Sequence, residues 1–345
     1  MQKVKAIINI SNLQENTKKF VKQGRKLCAV VKANAYGHGA EEIVNGIESF
    51  VDCFAVALID EGICIKTACC GKDVLVFTPP INEAEVLALA QNRFLATVPD
   101  LWTAKLLVQT CKAYGLCIRV HLKVNTGMNR YGMHLSMLGK VCKYLSRFDC
   151  VSVEGIYSHL YSLKRKTSEE QRTKFLAAIR VCKRYFPNVI SHLGGTYAAL
   201  LGDTFDFDMV RVGIGLYGYL PCKSELPLKK VMRVYATTVC ARKCACGGIG
   251  YGKRLQESEF PKYVSVCRFG YADGFLRKRK NGVDGFKENA NNLCMDVCIR
   301  ENNKKRGEVV PILTDAAKTA ELTGTIAYEV LCAATRRAEF VYEYE

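Results

Sequence analysis

Eight short apolar runs alternating with helical patterns constrain this chain more than any other feature. They occupy residues 27–32, 54–58, 74–77, 95–98, 118–124, 153–158, 189–192 and 209–212. Each has the length and β-branched content of a strand buried on both faces. Helical patterns separate them, including 83–90, 101–114 and 169–185, and an amphipathic segment at 12–23 precedes the first run. Ser168-x-x-Gln171 reads as a capping box opening the helix at 169. Strand–helix alternation calls for a parallel sheet covered by helices. An open doubly wound sheet would alternate similarly, but a count of eight favours closure. The expected fold class is α/β: an N-terminal (β/α)8 TIM-type barrel, with chemistry at the carboxyl ends of its strands.

The pattern changes after Pro221. Residues 222–228 read as a linker, and 231–239, 264–269, 309–313 and 329–332 as short strands separated by turns. Only 316–322 looks helical. This predicts a barrel domain over 1–226 and a smaller, mainly β domain over 227–345, with the first few residues able to pair with the latter. At 345 residues the chain exceeds one comfortable core, which agrees with two domains.

Composition narrows the function. A hydrophobic fraction of 49% with 24% charged residues is that of a globular enzyme. No apolar run reaches membrane-spanning length and no cleavage site follows Met1, so a cytoplasmic protein without membrane contact is expected. The formal charge of +17 raises nucleic acid as a partner. Its basic groups are short and dispersed (Lys164 to Lys166, Arg277 to Lys280, Lys304 to Arg306) and lack interleaved aromatics, so a solvated basic surface is expected instead. The 18 cysteines contain no C-x-x-C pair, and the nearest approach to a cluster, Cys240, Cys244 and Cys246, alternates along one face of a strand. They read as reduced, packed thiols rather than metal ligands. The run Gly247 to Arg254 has the spacing G-x-x-x-x-G-K, but an arginine follows where Ser or Thr is required, so no nucleotide site is expected there.

Chemistry concentrates at strand ends. Lys32 closes the first apolar run within Ala29-Val30-Val31-Lys32-Ala33-Asn34-Ala35-Tyr36-Gly37-His38-Gly39. Position alone leaves two readings: a snorkelling strand-end lysine, or an amine whose pKa is lowered by desolvation into the nucleophilic range. His121-Leu122-Lys123-Val124-Asn125-Thr126-Gly127-Met128-Asn129-Arg130 ends the fifth run. Its arginine offers a bidentate fork to a carboxylate or a phenolate-like oxygen. His159 ends the sixth. His192 ends the seventh and precedes Gly194-Gly195-Thr196, whose amides and hydroxyl suit a phosphate. Met209 to Gly218 brings Arg211 to the eighth, where an ion pair with Asp208 is the structural alternative.

These segments together resemble the bacterial alanine racemases, in the family's order from Val31 to Tyr328. The resemblance implies pyridoxal 5'-phosphate held covalently through Lys32. Tyr36, His159, Thr196, Arg211, Gly213, Ile214 and Tyr328 would contact that cofactor, with Arg211 at the pyridine nitrogen. Phe269-Gly270-Tyr271-Ala272-Asp273-Gly274 resembles the turn carrying the second base, so Lys32 and Tyr271 are the expected catalytic pair. Tyr271 would serve the other subunit of a homodimer with shared sites. Arg130 and Met295 would meet the substrate carboxylate. Lys123 matches a lysine that is often carbamylated, although Asn125 replaces the usual aspartate and Gly195 a common asparagine. The implied activity is interconversion of L- and D-alanine, supplying D-alanine for peptidoglycan. A serine or broad-specificity racemase, a decarboxylase of the same fold and a non-enzymatic pyridoxal-phosphate carrier are the alternatives. Neither metal nor nucleic acid enters the expected function.

Overall fold

The computed structural model describes residues 4–244, 248–251, 262–275, 293–300 and 304–344. Chain order begins with β1 (Lys5–Asn9) and α1 (Ile10–Lys18), then the first barrel strand β2 (Lys26–Val30) and a short turn α2 (Lys32–Gly37). There follow α3 (Ala40–Ile47), β3 (Cys53–Val56), α4 (Ile59–Ile65), β4 (Asp73–Val76), α5 (Glu83–Gln91), β5 (Leu95–Val98), α6 (Leu101–Tyr114) and β6 (Ile118–Lys123). The barrel ends with α7 (Leu135–Leu145), β7 (Val151–Tyr157), α8 (Arg165–Lys183), β8 (Ile190–His192), α9 (Thr196–Leu200) and β9 (Met209–Val212).

Strands β2 to β8 pair in parallel in chain order, and β9 returns to pair with β2. The seam is bridged where the Asp208 amide donates to Ser191 O at 3.0 Å and the Arg211 amide to Gly194 O at 3.4 Å. All eight predicted strands are present, their ends shifted by at most two residues. Fully buried side chains such as Leu75, Ala96, Val120, Leu122 and Ile156 make the barrel a packed core. Its amino-terminal end is tied by Arg119, which forks onto Asp73 at 2.5 and 2.8 Å and onto Glu154 at 2.6 and 2.7 Å.

The second unit is a six-stranded sheet containing β10 (Met232–Lys243), β11 (Tyr263–Cys267), β12 (Cys298–Arg300), β13 (Val309–Leu313) and β14 (Glu339–Glu343). β1 joins it, antiparallel to β10 and parallel to β14, so the chain starts in this sheet before entering the barrel. α10 (Ala316–Thr323) and α11 (Ala327–Ala333) pack beside it.

Three expectations need correction. Residues 329–332 are not a strand but lie within α11. Val330, Leu331 and Ala334 are buried at helical spacing, and a run with only three apolar residues, Val330 to Cys332, cannot distinguish the two periods. Ser168 does not cap α8, which begins three residues earlier. Its hydroxyl instead donates back to Lys164 O at 3.2 Å. Gln171 is drawn inward, donating to Thr126 Oγ1 at 2.8 Å and His159 O at 3.0 Å, because those buried acceptors lie under the helix. Cys240 and Cys244 are half-buried rather than core residues, while Cys246, Arg277 to Lys280 and half of the Gly247 to Arg254 run lie outside the described residues. Among the described residues the cysteines are unbridged, no group of ligands is arranged for a metal, and no helix is long and apolar enough to cross a membrane.

Candidate active site

The site begins with an unusual piece of backbone. After Lys32, Ala33, Asn34, Ala35 and Tyr36 all have φ between 52° and 54°, so α2 is wound left-handed. Four non-glycine residues in that conformation cost about 4–8 kcal/mol, at 1–2 each. Surrounding groups over-determine the turn. Glu61 accepts from the Ala33 amide at 2.7 Å with one oxygen and from Ala57 at 2.7 Å with the other. The Asn34 side chain accepts from the Ala40 amide at 2.8 Å. His38 Nδ1 donates to Ala35 O and Tyr36 O at 2.9 and 3.0 Å, and Thr335, beyond α11, donates to Gly37 O at 2.9 Å. The turn reverses the chain tightly enough for Lys32 and Tyr36 to line one cavity.

That cavity, about 500 Å³, lies at the carboxyl ends of the barrel strands. Lys32, Lys123, Arg130 and Arg211 bring four basic side chains to it, and no Asp or Glu lines it. Burial lowers the Lys32 pKa, Arg130 lowers it further, and Glu61 opposes both. Lys123 is only 6% exposed, with its ammonium 4.3 Å from the Tyr157 ring centre. Burial, then Arg211 and Arg130, holds its pKa well below that of an ordinary lysine.

Arg211 is fixed from behind. Its guanidinium donates to Ser158 O at 2.7 Å, Leu193 O at 3.2 Å and His192 Nδ1 at 2.5 Å. Arginine has no acceptor, so His192 Nδ1 accepts and Nε2 carries the proton. That proton points to His121 Nδ1 at 2.9 Å, which leaves the His121 proton on its own Nε2. Burial pushes the Arg211 pKa down to about 10, which still leaves it charged at neutral pH. The Tyr157 ring stacks on His192 at 4.9 Å, and the Tyr157 hydroxyl donates to Thr97, which donates to Val76 O. The alternative partner Asp208 is instead engaged by Ser191, accepting its amide at 2.7 Å and its hydroxyl at 2.6 Å.

Thr196 Oγ1 accepts from the Gly213 amide at 3.3 Å and from Gly215 at 3.2 Å. A hydroxyl that accepts twice still has its own proton to donate. Any Cβ at Gly213 would lie 2.4 Å from the Tyr36 hydroxyl, so glycine there lets the phenol close over the Thr196 loop. Tyr328, from α11, packs its ring 5.9 Å from that of Tyr36. His159, Ile214 and Gly195 line the same cavity. His159 has its pKa held well below the ordinary histidine value by burial and then by Arg211. Asn125 braces the loop leading to the exposed Arg130. Its Oδ1 accepts from the Gly127 and Asn129 amides at 3.0 and 3.1 Å.

Ten of the twelve residues singled out from the sequence thus share one cavity. Tyr271 and Met295 do not line it within this chain. Both lie in the second unit, with Met295 53% exposed. The sequence reading missed the support of Arg211 by His192 and His121, and the stacking role of Tyr157. A signal existed for His121: it stands two residues before Lys123 on a strand, hence on the same face.

A family model described as alanine racemase, N-terminal domain, matches residues 8–221, and the corresponding C-terminal domain model matches residues 231–342. The alanine racemase of Francisella philomiragia is 31% identical over 333 residues, covering 89% of this chain and 90% of its own. That of Clostridium novyi is 31% identical, covering 99% of this chain and 96% of its own. The solved alanine racemase of Clostridium difficile 630 superposes with a TM-score of 0.90 at 26% identity, covering 100% of this chain and 97% of its own.

Proposed function

The chain belongs to the alanine racemase family and is a racemase; from that premise we propose that it interconverts L- and D-alanine with pyridoxal 5'-phosphate, using two bases from different subunits. The observation carrying this reading is the cavity itself: four basic side chains without a lining carboxylate, matched to a ligand with a phosphate and to a substrate carboxylate.

The residues present fit that cofactor. Lys32 would hold it covalently. Thr196, the amides of Gly213 and Ile214, and the phenols of Tyr36 and Tyr328 would receive its phosphate, with His159 beside the ring. Arg211 would meet the pyridine nitrogen. When bound, pyridoxal phosphate withdraws electrons from the substrate's α-carbon and so acidifies its C–H bond. The protein's residues do the rest. A guanidinium does not surrender its proton, so Arg211 keeps the ring nitrogen unprotonated and limits charge delocalisation. Reprotonation is thereby confined to the α-carbon. Lys32 Nζ, made less basic by burial, moves the α-proton on one face, and Tyr271 Oη of the other subunit moves it on the opposite face. Arg130 and the Met295 amide would orient the carboxylate. Burial lowers the Lys123 pKa; its neutral amine would add carbon dioxide with release of one proton, and the resulting carbamate would give Arg130 an anionic partner.

The biological role that follows is D-alanine supply for peptidoglycan in the cytoplasm. Serine or broader specificity is the second reading. Both are tested by incubating the protein with L-alanine or L-serine in deuterated water: α-deuterium must enter alanine as the enantiomer ratio approaches equality, with serine much slower. Deuterium entry into neither amino acid would reject the activity. Borohydride reduction with the cofactor present should place the pyridoxyl group on Lys32 by peptide mapping. A label on Lys123 instead would reject the assignment of the cofactor lysine.

A further inference from the structure

The turn bearing Tyr271 is held by a side chain that no step above uses. Arg337 lies four residues beyond α11 and forks onto Asp273: its Nε donates to Oδ1 at 2.8 Å and its Nη2 to Oδ2 at 2.9 Å. Its Nη1 donates to Asp296 Oδ1 at 2.9 Å. Asp273 is 5% exposed and also accepts the Gly270 amide at 2.7 Å, which closes the turn on itself.

The same three segments are fastened through their backbones. The Tyr271 amide donates to Cys294 O and the Ala272 amide to Met295 O, both at 3.0 Å. A Cβ at Gly270 would lie 2.1 Å from Met295 O, and one at Gly274, where φ is +115°, 1.8 Å from Ala333 O. The Tyr271 turn is therefore seated between the Met295 segment and the end of α11, and the Arg337 fork spans the junction.

We propose that Arg337 is a positioning residue for the second base, fixing Tyr271 and the Met295 segment as one rigid unit and neutralising the two carboxylates beside them. The proposal rests on the reading of Tyr271 as a base. Planarity matters here: one guanidinium satisfies Asp273 with two parallel bonds and keeps a third for Asp296, whereas an ammonium is a point charge. Without Arg337, Asp273 and Asp296 leave two unpaired carboxylates at the junction that seats the turn.

The test uses the holoenzyme carrying Arg337→Met, Arg337→Lys or Tyr271→Phe. Arg337→Met should lower kcat/KM about tenfold to a hundredfold, the scale of a catalytic group displaced by up to an ångström. The loss must be equal in both directions because enantiomers are isoenergetic. The primary α-deuterium isotope effect should rise only for the enantiomer whose proton Tyr271 removes. Pyridoxyl labelling of Lys32 should not change. Arg337→Lys, which retains the charge but not the planar fork, should recover only part of the rate. Isotope effects unchanged in both directions, with only thermal stability lost, would overturn the positioning role. If Tyr271→Phe itself keeps full racemisation, it is the base assignment that has failed.

Discussion

Mixing Lys32→Ala protein with Tyr271→Phe protein will restore racemase activity that neither variant has alone. Each substitution deletes one of two bases, and a positioned general acid or base contributes about a hundredfold to ten-thousandfold. Each homodimer should therefore fall at least that far. Tyr271 does not line the cavity that Lys32 lines in its own chain, so on the proposed mechanism a second copy completes the pair. In a mixed dimer, one site combines Lys32→Ala with Tyr271→Phe, and the other receives both native residues. Random exchange makes about half of all dimers mixed, so about a quarter of all sites should be intact, on the two-fold symmetry expected of such an assembly. Subunit exchange must be shown independently, for example by mass-tagged protomers. Exchange without recovery would mean that Tyr271 works within its own chain or not at all.

The sequence made the barrel legible because its strands are buried on both faces and separated by helices, which leaves little choice of period. Leu95–Val98 and Met209–Val212 were located to the residue. The second unit was less legible. There the short apolar run Val330 to Cys332 within α11 reads equally as strand or helix. The candidate residues were singled out because the local words around Lys32, Arg130 and Arg211 are distinctive, and the fold brings ten of them to one cavity. What remained hidden depends on partners distant in sequence. The left-handed turn after Lys32 contains Ala-Asn-Ala-Tyr, a string with no glycine to announce positive φ; it is held by Glu61, His38 and Thr335. Likewise Asn125, read only as an aspartate replacement, proves to brace the Arg130 loop through an oxygen that either side chain possesses. Gln171 was read as a cap because its spacing fits one, yet buried acceptors determine where it points.

Acidification from pH 7 towards pH 5 should unfold this protein steeply, and buried histidines are the cause. His38, His121 and His192 are buried, and burial is the leading cause of each depressed pKa. The value falls to about 4 for His38 and to about 3 for His121, and for His192 it lies well below the ordinary one. In the unfolded chain each would titrate near about 6.5. The sign follows directly. A group whose folded pKa is depressed contributes its full stability above the unfolded value. As pH falls below about 6.5, the unfolded state binds protons that the folded state refuses, and stability drains away until the folded pKa is reached. Each histidine then costs about 1.4 kcal/mol per pH unit, and three cost about 4 kcal/mol per unit. Half-buried His159 adds in the same sense. Against a total stability of about 5–15 kcal/mol, that slope exhausts the lower end near about pH 5 and the upper end only near about pH 3. Urea unfolding at fixed protein concentration across pH 4.5–7.5, an interval set about the unfolded histidine value, should yield an uptake of about three protons. His38→Asn should lower the slope by about one proton, because an amide can donate where Nδ1 does without titrating. A stability profile flat down to about pH 5 would mean that the imidazoles become charged within the fold. The His121–His192–Arg211 chain could not then be the neutral, singly oriented relay described by its hydrogen bonds.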